Sequence, residues 1–185
     1  MRKIVLTGGP CSGKTTLLEH LRAAGCATAP EAAIQVIRDL TAELGLDGQR
    51  SWRDTHWVDF QERVARLQIE HEASAERDGA ELLVCDRGLL DGLAYCRYRG
   101  VEPPPRLLDL VRSGRYDQVF VLDTLEDFDA RLDTGRTDDR EDSLRVGALI
   151  RSVYREHGYQ PVRVPELAVE ARAARILRHA RGGRA

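Results

Sequence analysis

The segment GGPCSGKT, Gly8 to Thr15, constrains the fold more tightly than any other part of the chain. It fits the spacing G-x-x-x-x-G-K-[ST], with Gly8, Gly13, Lys14 and Thr15 on the specified positions. The apolar run KIVLTG (Lys3–Gly8) precedes it, and the periodic KTTLLEHLRAAG follows, stopped by Gly25. A glycine loop between a buried strand and a helix can fold tightly enough to turn several N–H groups toward one anion. The helix that follows aims its positive end at the same point. Gly8, Gly9, Pro10, Cys11, Ser12, Gly13, Lys14, Thr15 and Thr16 are therefore expected to hold the phosphates of a nucleotide. Lys14 is placed for the β- and γ-phosphates, and the Thr15 hydroxyl for Mg²⁺. Cys11 is a spacer in the loop, and a modified thiol there should block nucleotide entry.

The remaining sequence alternates apolar runs with long periodic segments, the pattern of βα units. CATAP, ELLVC, YDQVFVLDT and QPVRVP read as further strands. EAAIQVIRDLTAEL reads as a helix, and LDGQRSWRDT after it as a loop. Trp57, Phe60, Val64, Leu67 and His71 recur at three- and four-residue steps, which predicts a long amphipathic helix reaching about Arg77. DRGLLDGLAYCRYRG opens a helix, RLLDLVRSG follows the EPPP break, and SLRVGALIRSVYREHGY and ELAVEARAARILRHA are helical. The expectation is an α/β, three-layer P-loop NTPase fold with a mostly parallel five-stranded sheet. One domain spans 1–181, with a lid at about 125–141 and a frayed tail at 182–185.

Composition is that of an ordinary globular protein: 185 residues, 42% hydrophobic, 31% charged, formal net charge -2. That balance exerts no general pull on nucleic acid or an anionic membrane. No apolar run approaches the roughly 20 residues needed to span a bilayer, and the first apolar run is too short for a signal peptide. Cys11, Cys26, Cys85 and Cys96 form no C-x-x-C pair and have no histidines at zinc-ligand spacing, so free thiols in the cytoplasm are expected. Lys3 and Lys14 are the only lysines.

LLVCDRG ends the third strand with Asp86, followed by Arg87. Ligands sit at the carboxyl ends of strands in open α/β sheets, where an acid can hold the magnesium shell or take a proton from an attacking hydroxyl. Motor-type ATPases usually place a water-activating glutamate after that acid. An arginine there favours a phosphate or carboxylate on a second substrate. The P-loop, PEAA after the second strand, CDRGLLDGLAY after the third and an arginine-rich segment after the fourth resemble the small AAA-domain ATPases related to ribosylnicotinamide kinase and thymidylate kinase. The resemblance reaches to about Pro165. It implies a nucleoside/nucleotide-kinase-like fold with Mg-ATP or Mg-GTP as donor. It also implies that Asp86 is the magnesium-shell or base acid, that Arg87 contacts the acceptor, and that Glu31 faces it, with Asp91 and Tyr95 flanking the pocket. The EPGGT-like element of thymidylate kinases is missing, which argues against a thymidylate acceptor.

ARLDTGRTDDRED puts Arg131, Arg136 and Arg140 directly after the fourth strand, where phosphoryl transfer needs cations that close over the γ-phosphate and exclude water. Arg131 and Arg140 are preferred as the closing residues. Arg63 and Gln68 are candidates for the acceptor pocket, whereas Trp52 and Trp57 read as packing residues. Val164–Pro165 is a candidate edge of the base pocket. Absence of an NKxD motif favours ATP over GTP. Arg172, Arg175, Arg178, Arg181 and Arg184 read as a solvated stripe. The function these features predict is transfer of a phosphoryl group from Mg-ATP to a small hydroxyl- or phosphate-bearing acceptor of nucleoside-like kind. A nucleotide-binding switch and a slow ATPase or GTPase remain the alternatives.

Overall fold

The computed structural model describes residues 1–77, 79–126 and 139–182. Five strands, β1 (Arg2–Thr7), β2 (Ala27–Ala29), β3 (Leu82–Asp86), β4 (Gln118–Leu122) and β5 (Val162–Val164), form one sheet in the order β2-β3-β1-β4-β5. Every pairing is parallel. Parallel sheets are covered on both faces, so their strands are apolar throughout. Here alternate residues go to opposite layers. Ile4, Leu6, Val84, Phe120 and Leu122 pack against α1 (Lys14–Ala23) and α7 (Val169–Gly182). Val5, Leu83, Cys85, Val119 and Val121 face α3 (Trp57–Glu76), α4 (Asp91–Arg99), α5 (Pro105–Ser113) and α6 (Arg140–Glu156). This is the three-layer P-loop architecture.

The strand order decides where chemistry can occur. β1 is central, with Leu6 beside Asp86 of β3 and Thr7 beside Val121 of β4. The loop after β1 therefore emerges between the carboxyl ends of its two neighbours, the place where open α/β sheets take ligands.

Two expectations need correction. The segment LDGQRSWRDT is helical, because α2 runs Ala32–Thr55 with a kink at Gly45 (φ 75°, ψ 173°). The many polar residues after the kink suggested a loop, yet none is proline and most lie on an exposed face. Trp52 packs with Val36, Ile37, Leu40 and Phe60 in a small core between α2 and α3. Helix α3 lies where its periodicity put it, but the side it buries most completely includes Gln61, Glu62, Gln68 and Glu72. Buried polar side chains need partners. Gln68 Nε2 and the Tyr116 hydroxyl both donate to Glu72 Oε1, at 3.0 and 2.9 Å, and Lys3 Nζ lies 3.1 Å from Glu72 Oε2. The polar stripe of α3 thus anchors the helix to β1 and turns Gln68 toward the end of β3, where it donates to the Arg87 carbonyl at 3.3 Å.

Candidate active site

The glycine loop and the first turn of α1 form a compact cationic nest. Gly13 adopts φ 76° at the N-cap of α1, a left-handed geometry that glycine enters without strain. No acidic residue occupies the first turn to offset the helix dipole. Lys14 is buried, and its ammonium donates to the Gly9 carbonyl at 2.9 Å and to Ser12 Oγ at 3.0 Å. Thr15 and Thr16 lie exposed on the same turn, and Cys11 is half-buried with φ 52°.

Two elements from far along the chain clamp this loop, and neither was visible in the sequence. Ser143 of α6 donates to the Pro10 carbonyl at 2.6 Å and shares a hydrogen bond with Thr124 Oγ1 at 2.8 Å. Gly9 sits so close to Ser143 that a Cβ would collide with its carbonyl and hydroxyl oxygens. Arg172 of α7 donates Nη2 to the Ser12 carbonyl at 2.6 Å and is 4% exposed. Burial lowers its pKa, an effect that nearby Glu166 and Asp123 partly offset. The solvated reading of the C-terminal arginine stripe is therefore wrong for Arg172, while Arg178 and Arg181 do lie exposed. Arg175 is half-buried with its Nε out of solvent, and Arg184 lies outside the described residues. Every third or fourth residue of a helix shares a face, so the stripe's spacing alone could not single out Arg172.

Beside the nest lies a cavity of about 640 Å³, bounded by α2, α3, α4 and α6. Glu31, Gln68, Arg87, Asp91 and Tyr95 all line it, as do Trp57 and Phe60. Arg87 is the hinge between nest and cavity. Its Nε donates to Glu31 Oε1 at 2.9 Å, and Nη1 donates to Asp91 Oδ2 at 3.1 Å and to the Gly8 carbonyl at 3.2 Å. Its guanidinium lies 5.4 Å from the Tyr95 ring centroid. Burial alone would lower its pKa, but Glu31, Tyr95 and Asp91 outweigh that and raise it well above the usual arginine value. Arg87 is thus a fixed charge, and Nη2 has no hydrogen-bond partner among the described residues. Its backbone has φ 70°, unusual for a residue with a side chain.

Asp91 completes the network. Thr7 Oγ1 donates to Oδ2 at 2.5 Å, and the Tyr154 hydroxyl donates to Oδ1 at 2.9 Å. Burial first, then Asp91 and Tyr116, raise the Tyr154 pKa well above the usual phenol value, so it stays a neutral donor.

Asp86 is 4% exposed at the end of β3, and it does not line the cavity. Arg140 begins α6, exposed and outside the cavity wall. Arg131, Arg136 and the 127–138 part of the expected lid lie outside the described residues. Arg63 stacks 4.6 Å from the Trp52 ring and does not line the cavity, whereas Gln68 does. Trp57, expected only to pack, forms part of the cavity wall. The two residues that the sequence offers for Mg²⁺, Thr15 with its hydroxyl and Asp86 with its carboxylate, carry hard oxygens of the kind that ion prefers. So small a protein donor set fits an ion that is held mainly by nucleotide phosphates and water.

A family model described as "AAA domain" matches residues 3–172. The structure of NadR protein in complex with NAD and AMP-PNP superposes with a TM-score of 0.67 at 14% identity. That match covers 100% of this chain and 50% of the other, so this chain spans half the length of that NadR protein. Deoxyadenosine kinase from M. mycoides with bound dATP superposes with a TM-score of 0.61 at 15% identity, covering 97% of this chain and 98% of that one. At these identities the likeness establishes a kinase-like P-loop fold. No curated protein sequence matches the chain. No helix among the described residues is long and apolar enough to cross a membrane.

Two outcomes follow from this geometry. Replacing Arg87 by Ala leaves Glu31 and Asp91 buried without their cation, and should cost about 3–5 kcal/mol of unfolding free energy in urea titrations. Cys26, Cys85 and Cys96 are buried, and burial raises the thiol pKa of each, with Cys96 pushed to about 11. Iodoacetamide at neutral pH should therefore alkylate half-buried Cys11 first, and Mg-ATP should protect it; peptide mass spectrometry reads both effects.

Proposed function

The chain belongs to the AAA-domain family, and we propose that within it this protein is a phosphotransferase moving the γ-phosphoryl of Mg-ATP, or Mg-GTP, to a small acceptor held in the cavity beside the phosphate loop. One observation carries the reading: Arg87 bonds at once to the loop, through the Gly8 carbonyl, and to two carboxylates of the cavity wall, Glu31 and Asp91. A hydrolase needs only water at that point. A built chamber of about 640 Å³ with fixed charges serves a second substrate.

In this mechanism Gly8–Thr16 hold the nucleotide. Binding draws Lys14 from the loop carbonyls onto the β- and γ-phosphates, where its charge offsets what builds up on the transferred group. Thr15 and Asp86 hold Mg²⁺, which neutralises phosphate charge when bound. Glu31 is preferred over Asp86 as the base, because Glu31 lines the cavity and Asp86 does not. Both oxygens of Asp91 already accept hydrogen bonds, which suits it to hold Arg87 in place. Arg87 lines the cavity and orients the acceptor through its fixed charge. Arg131 and Arg140 are assigned to close over the γ-phosphate and keep water from competing.

Mass spectrometry of a metabolite pool incubated with the protein, Mg²⁺ and γ-labelled ATP or GTP tests this reading, with label expected on one metabolite. Label only in free phosphate would turn the assignment to a hydrolase, and label left on the donor to a nucleotide-binding switch. With the acceptor in hand, Glu31→Gln keeps an oxygen for Arg87 and should lower kcat by about 100-fold or more, with nucleotide affinity unchanged. Lys14→Ala should lower kcat by at least about 100-fold. Wild-type turnover in either variant contradicts the mechanism.

A further inference from the structure

The carbonyls of the phosphate loop are held from behind, one by one. A trans peptide unit is planar, with its C=O and N–H pointing in opposite directions. A donor on the carbonyl of one residue therefore fixes where the N–H of the next residue points. The Gly8 carbonyl takes Arg87 Nη1 at 3.2 Å and lies 3.4 Å from Lys14 Nζ. The Gly9 carbonyl takes Lys14 Nζ at 2.9 Å and Ser12 Oγ at 3.0 Å. The Pro10 carbonyl takes the Ser143 hydroxyl at 2.6 Å, and the Cys11 carbonyl takes the Leu125 N–H at 3.2 Å. The Ser12 carbonyl takes Arg172 Nη2 at 2.6 Å. From Gly13 onward the helix takes over, with the Leu17 N–H donating to the Gly13 carbonyl at 3.2 Å.

The placing of these donors suits a loop whose lysine has to move. Lys14 lies closest to the carbonyl of the Gly9–Pro10 peptide, and proline has no N–H to orient. Ser12 Oγ shares that carbonyl and Arg87 shares the Gly8 carbonyl, so both keep a donor when Lys14 turns to phosphate. The peptides that follow do carry N–H groups, and their carbonyls are held by Ser143, Leu125 and Arg172, all far along the chain. Among the described residues neither the Ser12 N–H nor the Gly13 N–H has a hydrogen-bond acceptor.

Arg172 is the holder that burial disfavours most. It is 4% exposed, and it stands 160 residues from Ser12 in the chain. A buried guanidinium is ordinarily matched by a carboxylate. The hydrogen bond that this side chain makes among the described residues goes instead to a loop carbonyl, and Nε has none. Its Nη1 lies 2.8 Å from where a Cβ on Gly13 would sit, so the guanidinium rests against the Ser12–Gly13 peptide. Hydrogen bonds in series polarise one another. A cation on the Ser12 carbonyl thus makes the Gly13 N–H a stronger donor to an anion. We infer that Arg172 is a positioning residue for phosphate binding: through the Ser12 carbonyl it holds the Gly13 N–H toward the phosphates of the nucleotide. This rests on the reading that Gly8–Thr16 hold a nucleotide, and it requires no acceptor.

Titration of the full chain with Mg-AMP-PNP, followed in proton–nitrogen correlation spectra of the amides, tests the role. In the wild type, hydrogen bonds to phosphate should move the Gly13 and Lys14 amide protons downfield. Arg172→Met keeps much of the side-chain length and removes every donor. It should bind Mg-AMP-PNP about tenfold more weakly, the worth of one charge-assisted hydrogen bond. At saturation its Gly13 amide should lose the downfield shift. Lys14 should keep its own, because the Leu17 bond holds that peptide. General loosening of the fold would not separate the two amides. Arg172→Lys retains a cation and one donor, and should recover most of the affinity together with the Gly13 shift; it decides the question where the methionine variant does not fold. Wild-type affinity in Arg172→Met, or an unchanged Gly13 shift at saturation, overturns the positioning role and leaves the nucleotide site standing. A folded lysine variant without the Gly13 shift overturns it as well. Failure of the wild type to bind Mg-AMP-PNP sinks the nucleotide site and this role together.

Discussion

One buried guanidinium holds the two halves of this site together. Arg87 sits in a left-handed backbone conformation at the end of β3 and bonds to Glu31, to Asp91 and to the first glycine of the phosphate loop. A buried charge is costly unless it is fully paired. That cost fixes the surroundings, because Glu31 at the end of β2 and Asp91 at the start of α4 must both come to it. Thr7 and Tyr154 then bind Asp91, which ties β1 and α6 to the same point. Strain and buried charge in one residue are characteristic of functional sites, where surrounding structure has to hold an unfavourable conformation.

The phosphate loop depends on distant parts of the chain for its shape. Ser143 of α6 and Arg172 of α7 each take a loop carbonyl, from Pro10 and Ser12, and approach Gly9 and Gly13 so closely that no larger residue fits without movement. The two helices lie on opposite faces of the sheet. The loop is therefore gripped from both layers.

Much of this was legible in the sequence because local rules govern it. The loop motif between strand and helix, the alternation of strands with helices and the acid–arginine pair after β3 each state their role within a few residues. Glu31, Asp91 and Tyr95 were reachable only through family resemblance, and the structure brings all three to the cavity. The second half of α2 reads as a loop, because LDGQRSWRDT is polar and carries a glycine, until the core it covers, around Trp52 and Phe60, is known. Arg172, Ser143 and Tyr154 left no local signal, since their partners lie 63 to 160 residues away.

A crystal structure with AMP-PNP and Mg²⁺ tests the central claim most directly, through the position of the γ-phosphate relative to Glu31 and Arg87. The account predicts that the γ-phosphate lies at the mouth of the cavity on the Glu31 side, with the metal touching Thr15 and Asp86 and Lys14 moved from the loop carbonyls to the phosphates. A γ-phosphate turned away from the cavity, with Lys14 still on Gly9 and Ser12, would contradict it.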